Sequence, residues 1–328
     1  MKKFYTLCLL MIGAMSFAQI SDSFSGTGTL TANGWVSHSG TADQLTISTG
    51  SLSYTGLTST GNKAVLVAGN NEDVNKASAS SITGLAYYSA VLNLPNTTGL
   101  HPNTATGDYF LMNSATAGAT GVTSFSARLY IRTGSAADTF NIGILNNSGG
   151  TAAPSYVSTD YPINTPIFVV VKYDLSTNTA SLFVNPVIGS TEGTATVTNA
   201  TGTTAAPTQI AALAIRQGGN ATTGTGNVQI DELRLGGTWS SVTSGTLGIS
   251  QNAIDGLKVY PNPVTNGTFY INTTADQTKE VVVYDVLGKQ VVKTTTTNAV
   301  NVSNLKSGVY IVKITEEGKT ATRKLVIK

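Results

Sequence analysis

The chain has 328 residues, a formal net charge of +2 and a single cysteine, Cys8, so a disulfide framework is excluded. Residues 19–250 carry seven Lys and Arg against eleven Asp and Glu, a net of −4, and residues 251–328 carry ten against six, a net of +4. Neither part has a basic stripe with interleaved aromatic residues, so nucleic acid is not an expected partner.

The N-terminal residues have the features of a secretory signal peptide. Lys2 and Lys3 make the start basic, and residues 4–17 form an apolar run that is too short to span a bilayer. Small residues at Ser16 and Ala18 predict cleavage before Gln19. We therefore expect residues 1–18 to be a signal peptide, and we expect no transmembrane segment in the mature chain.

Residues 19–241 are rich in Thr, Ser, Gly and Asn, and they show no convincing 3.6-residue periodicity. Short strand-like runs are separated by turn residues instead. The predicted strands span residues 45–47, 51–54, 64–68, 85–94, 109–112, 124–132, 139–145, 167–173, 180–184, 210–216 and 228–235. This pattern is typical of a β-sandwich or jelly roll.

The clearest alternation lies in residues 124–132. One predicted face, which must be core, carries Phe125, Ala127, Leu129 and Ile131. The other face carries Ser126, Arg128, Tyr130 and Arg132. That second face is either solvated or the floor of a groove, and the pattern leaves both interpretations open.

Three further segments have distinct patterns. Residues 168–171 are apolar without alternation, which predicts a central strand covered on both faces. Residues 189–206 read as a long loop. The apolar parity shifts between Ile230 and Leu233, which predicts a β-bulge at Asp231-Glu232; we interpret this pair as a polar kink on an edge strand.

Several short segments of residues 20–240 carry a family resemblance. They are Asp22-Ser-Phe with Gly34-Trp, Gly50-Ser-Leu-Ser-Tyr, Glu72-Asp-Val, Gly107-Asp-Tyr-Phe, Lys172-Tyr-Asp-Leu, Ser181-Leu-Phe-Val-Asn-Pro, and Asp231-Glu-Leu-Arg-Leu-Gly with Trp239. Together they resemble the concanavalin-like, laminin-G-like jelly rolls of secreted Bacteroidetes proteins. That fold hosts lectins, glycosidases, lyases and adhesion modules, so the resemblance implies a fold and leaves the activity open.

No familiar catalytic constellation is present in the sequence. The Glu-x-Asp-x-x-Glu motif of laminarinase-type relatives is missing, and Asp231-Glu232 is its nearest equivalent. The Gln-Ile-His triplet of alginate-lyase-type relatives is matched here only by Gln229-Ile230-Asp231, which lacks the histidine. We therefore expect a protein that is not an enzyme, with a polysaccharide-active enzyme with an atypical site kept as an alternative.

Calcium is kept as a candidate cofactor, because carboxylates and loop carbonyls supply the six to eight oxygens that it takes. The candidate metal ligands are Asp22 and Asp231, and further loop or strand-end carboxylates are Asp43, Glu72, Asp73 and Asp108.

Sugar binding needs an aromatic plate with a few planar polar groups beside it. The candidate ligand-binding residues are Trp35, Tyr87, Arg128, Tyr130 and Arg132. Trp239 is better interpreted as a packing residue at the end of the last strand.

Residues 242–256 are polar and small and read as a linker, and residues 257–328 contain three ordered blocks. The residues that define these blocks are Tyr260, Pro261, Asn262, Pro263, Tyr284, Asp285, Gly288, Leu305, Gly308 and Tyr310. In order and spacing they resemble the C-terminal sorting domain of Bacteroidetes proteins exported by the type IX secretion system. The resemblance implies that the secretion machinery and its processing peptidase are partners.

We thus predict an all-β chain, with a two-sheet jelly roll at residues 19–241 and a small β-sandwich at residues 257–328. The expected function is a secreted or cell-surface module that binds glycans or other extracellular ligands, with extracellular polysaccharide as a partner. The alternatives are the atypical enzyme and a structural surface protein without a small ligand.

Overall fold

The structure, a computed structural model, describes residues 18–245, 254, 256–316 and 319–328. Residues 1–17 of the predicted signal peptide and most of the predicted linker lie outside these residues. The chain divides into two compact units, residues 1–245 and residues 246–328. None of the helices in the described part has the length and apolar character needed to cross a membrane.

The described residues of the first unit, 18–245, form seventeen strands, a 3₁₀ helix at Thr31–Asn33 and a short helix α1 at Trp239–Thr243. The strands are β1 Ile20–Asp22, β2 Gly28–Thr29, β3 Val36–Ser39, β4 Thr46–Ser48, β5 Lys63–Leu66, β6 Asp73–Ile82, β7 Leu85–Asn93, β8 Asp108–Ser114, β9 Ser126–Thr133, β10 Thr139–Leu145, β11 Ser155–Tyr156, β12 Tyr161–Pro162, β13 Ile167–Asp174, β14 Thr179–Val184, β15 Val197–Asn199, β16 Ile210–Arg216 and β17 Val228–Gly236.

These strands form two antiparallel sheets. Sheet I has the order β15-β14-β13-β7-β17-β5-β4-β2, with β1 also paired to β17. Sheet II has the order β11-β10-β9-β8-β16-β6-β3, with β12 also paired to β10. The chain passes repeatedly from one sheet to the other, and the inward side chains of both sheets form one hydrophobic core. The predicted all-β class and two-sheet jelly roll are confirmed.

Strand β13 shows why one apolar run has no alternation. Val169 and Val171 lie in the core between the sheets. Phe168 and Val170 lie in a second cluster, which covers the outer face of sheet I together with Leu52, Leu57, Tyr87, Val91, Phe183, Trp239 and Val242. The predicted central strand covered on both faces is confirmed.

The bulge predicted in the last strand is present in β17. The register against β7 shifts between Asp231 and Arg234, and Glu232 has a φ of +48°. This extra residue turns Leu233 back toward the core, beside Ile230. The prediction of an edge strand is wrong, because β17 lies between β7 and β5.

Three local predictions also need correction. Residues 51–54 are not a strand; Tyr54 makes only an isolated bridge to Leu57. The predicted loop at 189–206 contains β15, which pairs with β14. Val242, predicted to begin the linker, is fully buried in helix α1.

Strand β9 follows its predicted alternation only in part. Ala127, Leu129 and Ile131 lie in the core as expected. Ser126 is fully buried, however, and Phe125 is half-buried beside the ring of His38, 6.0 Å away. The backbone kinks here, since Ala127 has a φ of +48° and the register against β8 shifts. The regular alternation therefore begins only after this kink.

Where the structure describes the second unit, it contains seven strands: β18 Lys258–Tyr260, β19 Thr268–Asn272, β20 Lys279–Tyr284, β21 Gln290–Thr296, β22 Ala299–Asn301, β23 Gly308–Glu316 and β24 Lys319–Ile327. They form a three-stranded sheet, β18-β19-β22, and a four-stranded sheet, β21-β20-β23-β24, which share a second core. The predicted small β-sandwich is confirmed.

Candidate functional site

The outer face of sheet II differs from that of sheet I in its chemistry. On strand β9 the side chains of Arg128, Tyr130 and Arg132 alternate with those that enter the core. Tyr130 is 8% exposed, and the two arginines are half-buried. Three of the five predicted ligand-binding residues therefore lie on one face of one strand.

Strand β8 adds an aromatic ring to this face. Tyr109 lies opposite Tyr130 in the register, and the two ring centroids are 5.5 Å apart. The Tyr109 ring also meets two guanidinium groups, because Arg128 Cζ is 5.1 Å and Arg216 Cζ is 4.4 Å from its centroid. These are cation–π distances. Arg216 is the last residue of β16, the neighbour of β8 on the other side.

Two carboxylates accompany Arg216. Asp108 accepts a hydrogen bond from Arg216 Nη1 and forms an ion pair with it. Asp73 lies opposite Arg216 in the register of β6 and β16. Burial raises the pKa of Asp73 to about 6, although the nearby Arg216 opposes this shift. Asp73 Oδ1 is buried and has no hydrogen-bond partner among the described residues.

The other end of β9 carries a second cation–aromatic pair. Arg132 Cζ lies over the ring of Tyr156, 3.6 Å from its centroid. Gly143 makes room for this ring, since a Cβ at that position would lie 2.9 Å from Tyr156 Cδ1. The Tyr156 hydroxyl donates to the carbonyl of Thr106 at 2.6 Å, and Arg132 Nη1 donates to the carbonyl of Ala105 at 3.0 Å. Both members of the pair are thus held in place.

A polar cleft of about 240 Å³ adjoins Arg132. Its lining consists of Asn103, Arg132, Ser135, Asn141, Val157, Ser158 and Asp160. The volume is below the roughly 300–1,000 Å³ of a drug-sized pocket. The cleft therefore suits a ligand the size of one small polar group or one sugar ring.

The cleft has hydrogen-bonding capacity left unused. Asn141 is 5% exposed, and its Nδ2 donates to Val157, Thr159 and Asp160. Its Oδ1 acceptor and the Arg132 Nε donor have no partner within the described ranges. Asp160 accepts from the backbone and hydroxyl of Ser135, and these bonds lower the pKa of its carboxyl. Buried polar groups are normally hydrogen-bonded, so both atoms are able to bond to solvent or to a ligand in the cleft.

The other two predicted aromatic plates are placed elsewhere. Trp35 is 3% exposed in the core, stacks on Phe24, and donates its Nε1 hydrogen to Asp22. Tyr87 is 3% exposed under the cover of sheet I, and its hydroxyl donates to Glu192. Neither ring offers a free face, because each is enclosed by packing.

The two predicted metal ligands each have protein partners. Asp22 accepts from the backbone of Phe24 and pairs with Lys76 at 2.6 Å. Asp231 accepts from Ser51 Oγ and from the backbone nitrogens of Leu52 and Glu232. In the described part of the chain no three acidic or histidine residues are grouped as metal ligands.

The remaining acidic candidates also include residues with protein partners. Glu72 is fully buried and accepts three backbone hydrogens, from Asp43, Gln44 and Leu45, while Asp108 pairs with Arg216. Calcium binding therefore stays a prediction, since no cluster of possible metal ligands is found among the described residues.

The bulge residues Asp231 and Glu232 anchor a loop. Asp231 holds its start at Ser51 and Leu52, and Glu232 accepts from the backbone of Thr60 at 2.8 Å. Glu232 also pairs with Arg234 at 3.2 Å. Burial raises the pKa of Asp231 to about 6. Both carboxylates therefore serve the packing of sheet I, on a different sheet from Arg128 and Tyr130.

The sorting-motif residues of the second unit shape its turns and strand ends. Asn262, between Pro261 and Pro263, bonds the backbone of β24 on both sides, from Nδ2 to Lys324 O and from Val326 N to Oδ1. Val264, which follows, bonds the same strand. The segment that ends β18, after Tyr260, is thus tied to the last strand of the unit.

The other motif residues behave similarly. Asp285 Oδ1 accepts from Leu287 and Lys289, and Gly288 takes a φ of +81°, which closes the turn after Tyr284. Leu305 packs on the core. Tyr310 is buried, and its hydroxyl donates to Lys306 O across Gly308.

Comparisons with solved structures gave likenesses at low identity. A sialidase is 11% identical with a TM-score of 0.39; the match covers 72% of this chain and 20% of the sialidase. The carbohydrate recognition domain of Emp47p is 9% identical (TM-score 0.37, 66% of this chain, 97% of that domain). A laminarinase from Flavobacterium sp. UMI-01 is 15% identical (TM-score 0.39, 67% and 99%). At TM-scores below 0.5 these likenesses carry no functional assignment.

No curated protein matches the chain. Residues 258–328 match the family described as the secretion system C-terminal sorting domain. The predicted resemblance is confirmed over these residues, and with it the expectation of export. Residues 258–328 are therefore a secretion system C-terminal sorting domain, and this domain supports export of the chain to the cell surface or beyond it.

Proposed function

We propose that the chain is a non-catalytic module, exported by the type IX secretion system, that binds extracellular glycans through the outer face of sheet II. The processing peptidase of that system would remove the second unit after export. The face is defined by Tyr109, Arg128, Tyr130, Arg132, Tyr156 and Arg216, together with the polar cleft.

One observation carries the proposal. The Arg132–Tyr156 pair borders a cleft lined by amide and hydroxyl groups, in which Asn141 Oδ1 and Arg132 Nε have no partner among the residues that the structure describes. A sugar hydroxyl donates one hydrogen bond and accepts others, so hydroxyls can satisfy an unpaired acceptor and an unpaired donor together. An aromatic surface with a few convergent polar groups is the general form of such a site.

The non-catalytic part of the proposal is supported by the placement of the acidic residues. In the enzyme alternative, Asp231 and Glu232 are the candidate catalytic carboxylates. They hold the loop beside sheet I, on a different sheet from Arg128 and Tyr130. One observation favours the enzyme: Asp73 and Asp108 both lie near Arg216, and the pKa of Asp73 is raised to about 6. Two carboxylates on one face are what glycoside hydrolysis requires.

The test is a glycan array with the full chain, run beside a reducing-end assay on the same polysaccharides. We expect binding without product release, with affinities from millimolar to micromolar, about −4 to −8 kcal/mol. Turnover that is lost in an Asp73→Asn, Asp108→Asn double variant would establish the enzyme instead. Silence in both assays would favour the structural surface protein.

A further inference from the structure

On the basis of the proposed function, we infer that the glycan is anionic, and that its carboxylate or sulfate group binds Arg128 while a neutral part of the same oligosaccharide occupies the cleft at Arg132. The two arginines lie on one face of β9 but differ in their electrostatic surroundings.

Arg128 has no counter-ion in the part of the chain that the structure describes. Within residues 18–245 of the structure, no carboxylate lies within ion-pair distance of its guanidinium, as the other pairs are Lys76–Asp22, Lys172–Glu192, Arg216–Asp108 and Arg234–Glu232. Arg128 Nη2 donates to the carbonyl of Phe125 at 3.2 Å, and Nε has no partner. The adjacent Tyr109 ring offers only a quadrupole, which does not neutralise the charge.

Arg132 is different, because the cleft beside it already contains a carboxylate. Asp160 interacts electrostatically with Arg132, and hydrogen bonds keep the pKa of Asp160 low. An anionic sugar in this cleft would be repelled by Asp160, whereas a neutral hydroxyl could donate to Asn141 Oδ1. The cleft therefore suits a neutral sugar ring.

The spacing of the two arginines sets the size of the ligand. They are four residues apart on one strand, which places their Cα atoms about 13 Å from each other. Tyr130 lies between them on the same face. A ligand that contacts both is an oligosaccharide rather than a single sugar. Because a guanidinium is planar and offers directional donors, it is well matched to a carboxylate or sulfate group.

The probe is a pair of polymers that differ only in charge. Binding of the full chain is measured to polygalacturonate and to the same polymer with its carboxyl groups methyl-esterified. Dextran sulfate and dextran form a second pair, which separates sulfate from carboxylate recognition. We expect at least fivefold tighter binding to the charged member of one pair, weakening as salt rises because charge interactions are screened.

The variant is Arg128→Gln, and its control is Lys172→Gln, which removes the same charge from sheet I. Arg128→Gln should weaken binding to the charged polymer about tenfold, since a charge-assisted contact is lost, and should weaken binding to the neutral polymer by a clearly smaller factor. Lys172→Gln should change neither. Arg128→Lys keeps the charge and should retain part of the preference for the charged polymer. That result would show that misfolding is not the cause of the loss in Arg128→Gln.

The outcomes distinguish a failure of the glycan-binding function from a failure of the inferred preference for an anionic glycan. Binding to neither member of either pair, and to no neutral glycan on the array, contradicts the glycan-binding function itself. Equal binding to charged and neutral members, or a preference that Arg128→Gln leaves unchanged, overturns the inference and leaves the function standing. An equal loss in Lys172→Gln would mean that net charge, rather than Arg128, determines the preference, and would also overturn it.

Discussion

The guanidinium of Arg132 lies over the ring of Tyr156, with its Cζ 3.6 Å from the ring centroid. The two residues come from β9 and β11, which do not pair with each other; β10 lies between them and contributes Gly143 at the crossing point. A Cβ at residue 143 would lie 2.9 Å from Tyr156 Cδ1 and would displace that ring. The absence of a Cβ there lets residues from three strands meet on one face of sheet II.

The sorting domain gives the first prediction. Deleting residues 257–328 should trap the protein in the periplasm, because the segment that the secretion machinery reads is gone. Cell fractionation and immunoblotting measure this. The full chain with Arg132→Ala serves as the control and should be exported normally. Normal release of the truncated form into the medium would show that the tail is dispensable.

A buried ion pair in the second unit gives the second prediction. Lys279 is fully buried, and its Nζ lies 3.1 Å from Glu316 Oε1 and donates to the carbonyls of Gln277 and Thr297. Lys279→Met should destabilise this unit by about 3–5 kcal/mol, because Glu316 is left buried and unpaired. Adding Glu316→Gln should recover part of the loss. Hydrogen exchange of β20 amides is the readout, and unchanged exchange in Lys279→Met would refute the prediction.

The loop anchor at the bulge gives the third prediction. Asp231→Ala leaves Ser51 Oγ and the backbone nitrogens of Leu52 and Glu232 without their acceptor. We expect a loss of about 2–3 kcal/mol in the stability of the first unit. Asp231→Asn keeps one acceptor oxygen and should lose less. Denaturant unfolding measures the stability of each protein, which should be highest for the wild type, lower for Asp231→Asn and lowest for Asp231→Ala. A purely catalytic role for Asp231 would not produce this order.

Asp73 gives a prediction about pH. Its folded-state pKa is raised from 3.8 to about 6 by burial, so the folded state binds a proton more tightly than the unfolded chain. The stability contributed by the protonated form is complete below about pH 4 and is lost as the pH rises through 6. Asp73→Asn cannot ionise, so its melting temperature relative to the wild type should rise between about pH 4 and pH 6 and stay constant above that.

Other titrating groups do not confuse this comparison. Burial lowers the pKa of His38, which acts in the opposite direction but is present in both proteins. Asp231 has a raised pKa of about 6 and is likewise common to both. A melting-temperature difference that does not change with pH would contradict the assignment of Asp73.

The sequence was most informative where periodicity and burial coincide. Residues 139–145 and 210–216 were predicted with the bounds of β10 and β16, because each is a short apolar run bounded by turn-forming residues. The shift at Asp231-Glu232 was a reliable sign of the bulge, since only an extra residue keeps both halves of β17 facing the core. Residues 51–54 were mistaken for a strand because the apolar Leu52 and Tyr54 cover sheet I from a loop.

The candidate site was harder to predict, because its members meet only through strand register. Arg128, Tyr130 and Arg132 were visible as one face of one strand. The other members of the site are Tyr109, Tyr156 and Arg216. Their separations along the chain, from one another and from Arg128 and Arg132, range from 19 to 107 residues. The strand order of sheet II, which contains β8, β11 and β16, brings them to the same surface. Each sits at or near a strand end, where local alternation gives no sign of its neighbours. Trp35 and Tyr87 were chosen for their size alone, and size favours burial.

The most direct test of the glycan-binding face is a calorimetric titration of the full chain with the glycan that binds most tightly on the array, comparing Tyr156→Ala with Tyr156→Phe. Tyr156→Phe keeps the ring under Arg132 and loses only the bond to Thr106, so its affinity should stay within about threefold of the wild type. Tyr156→Ala removes the ring that supports Arg132 at the edge of the cleft and should weaken binding about tenfold. Wild-type affinity in Tyr156→Ala, with the fold intact by circular dichroism, would contradict the account.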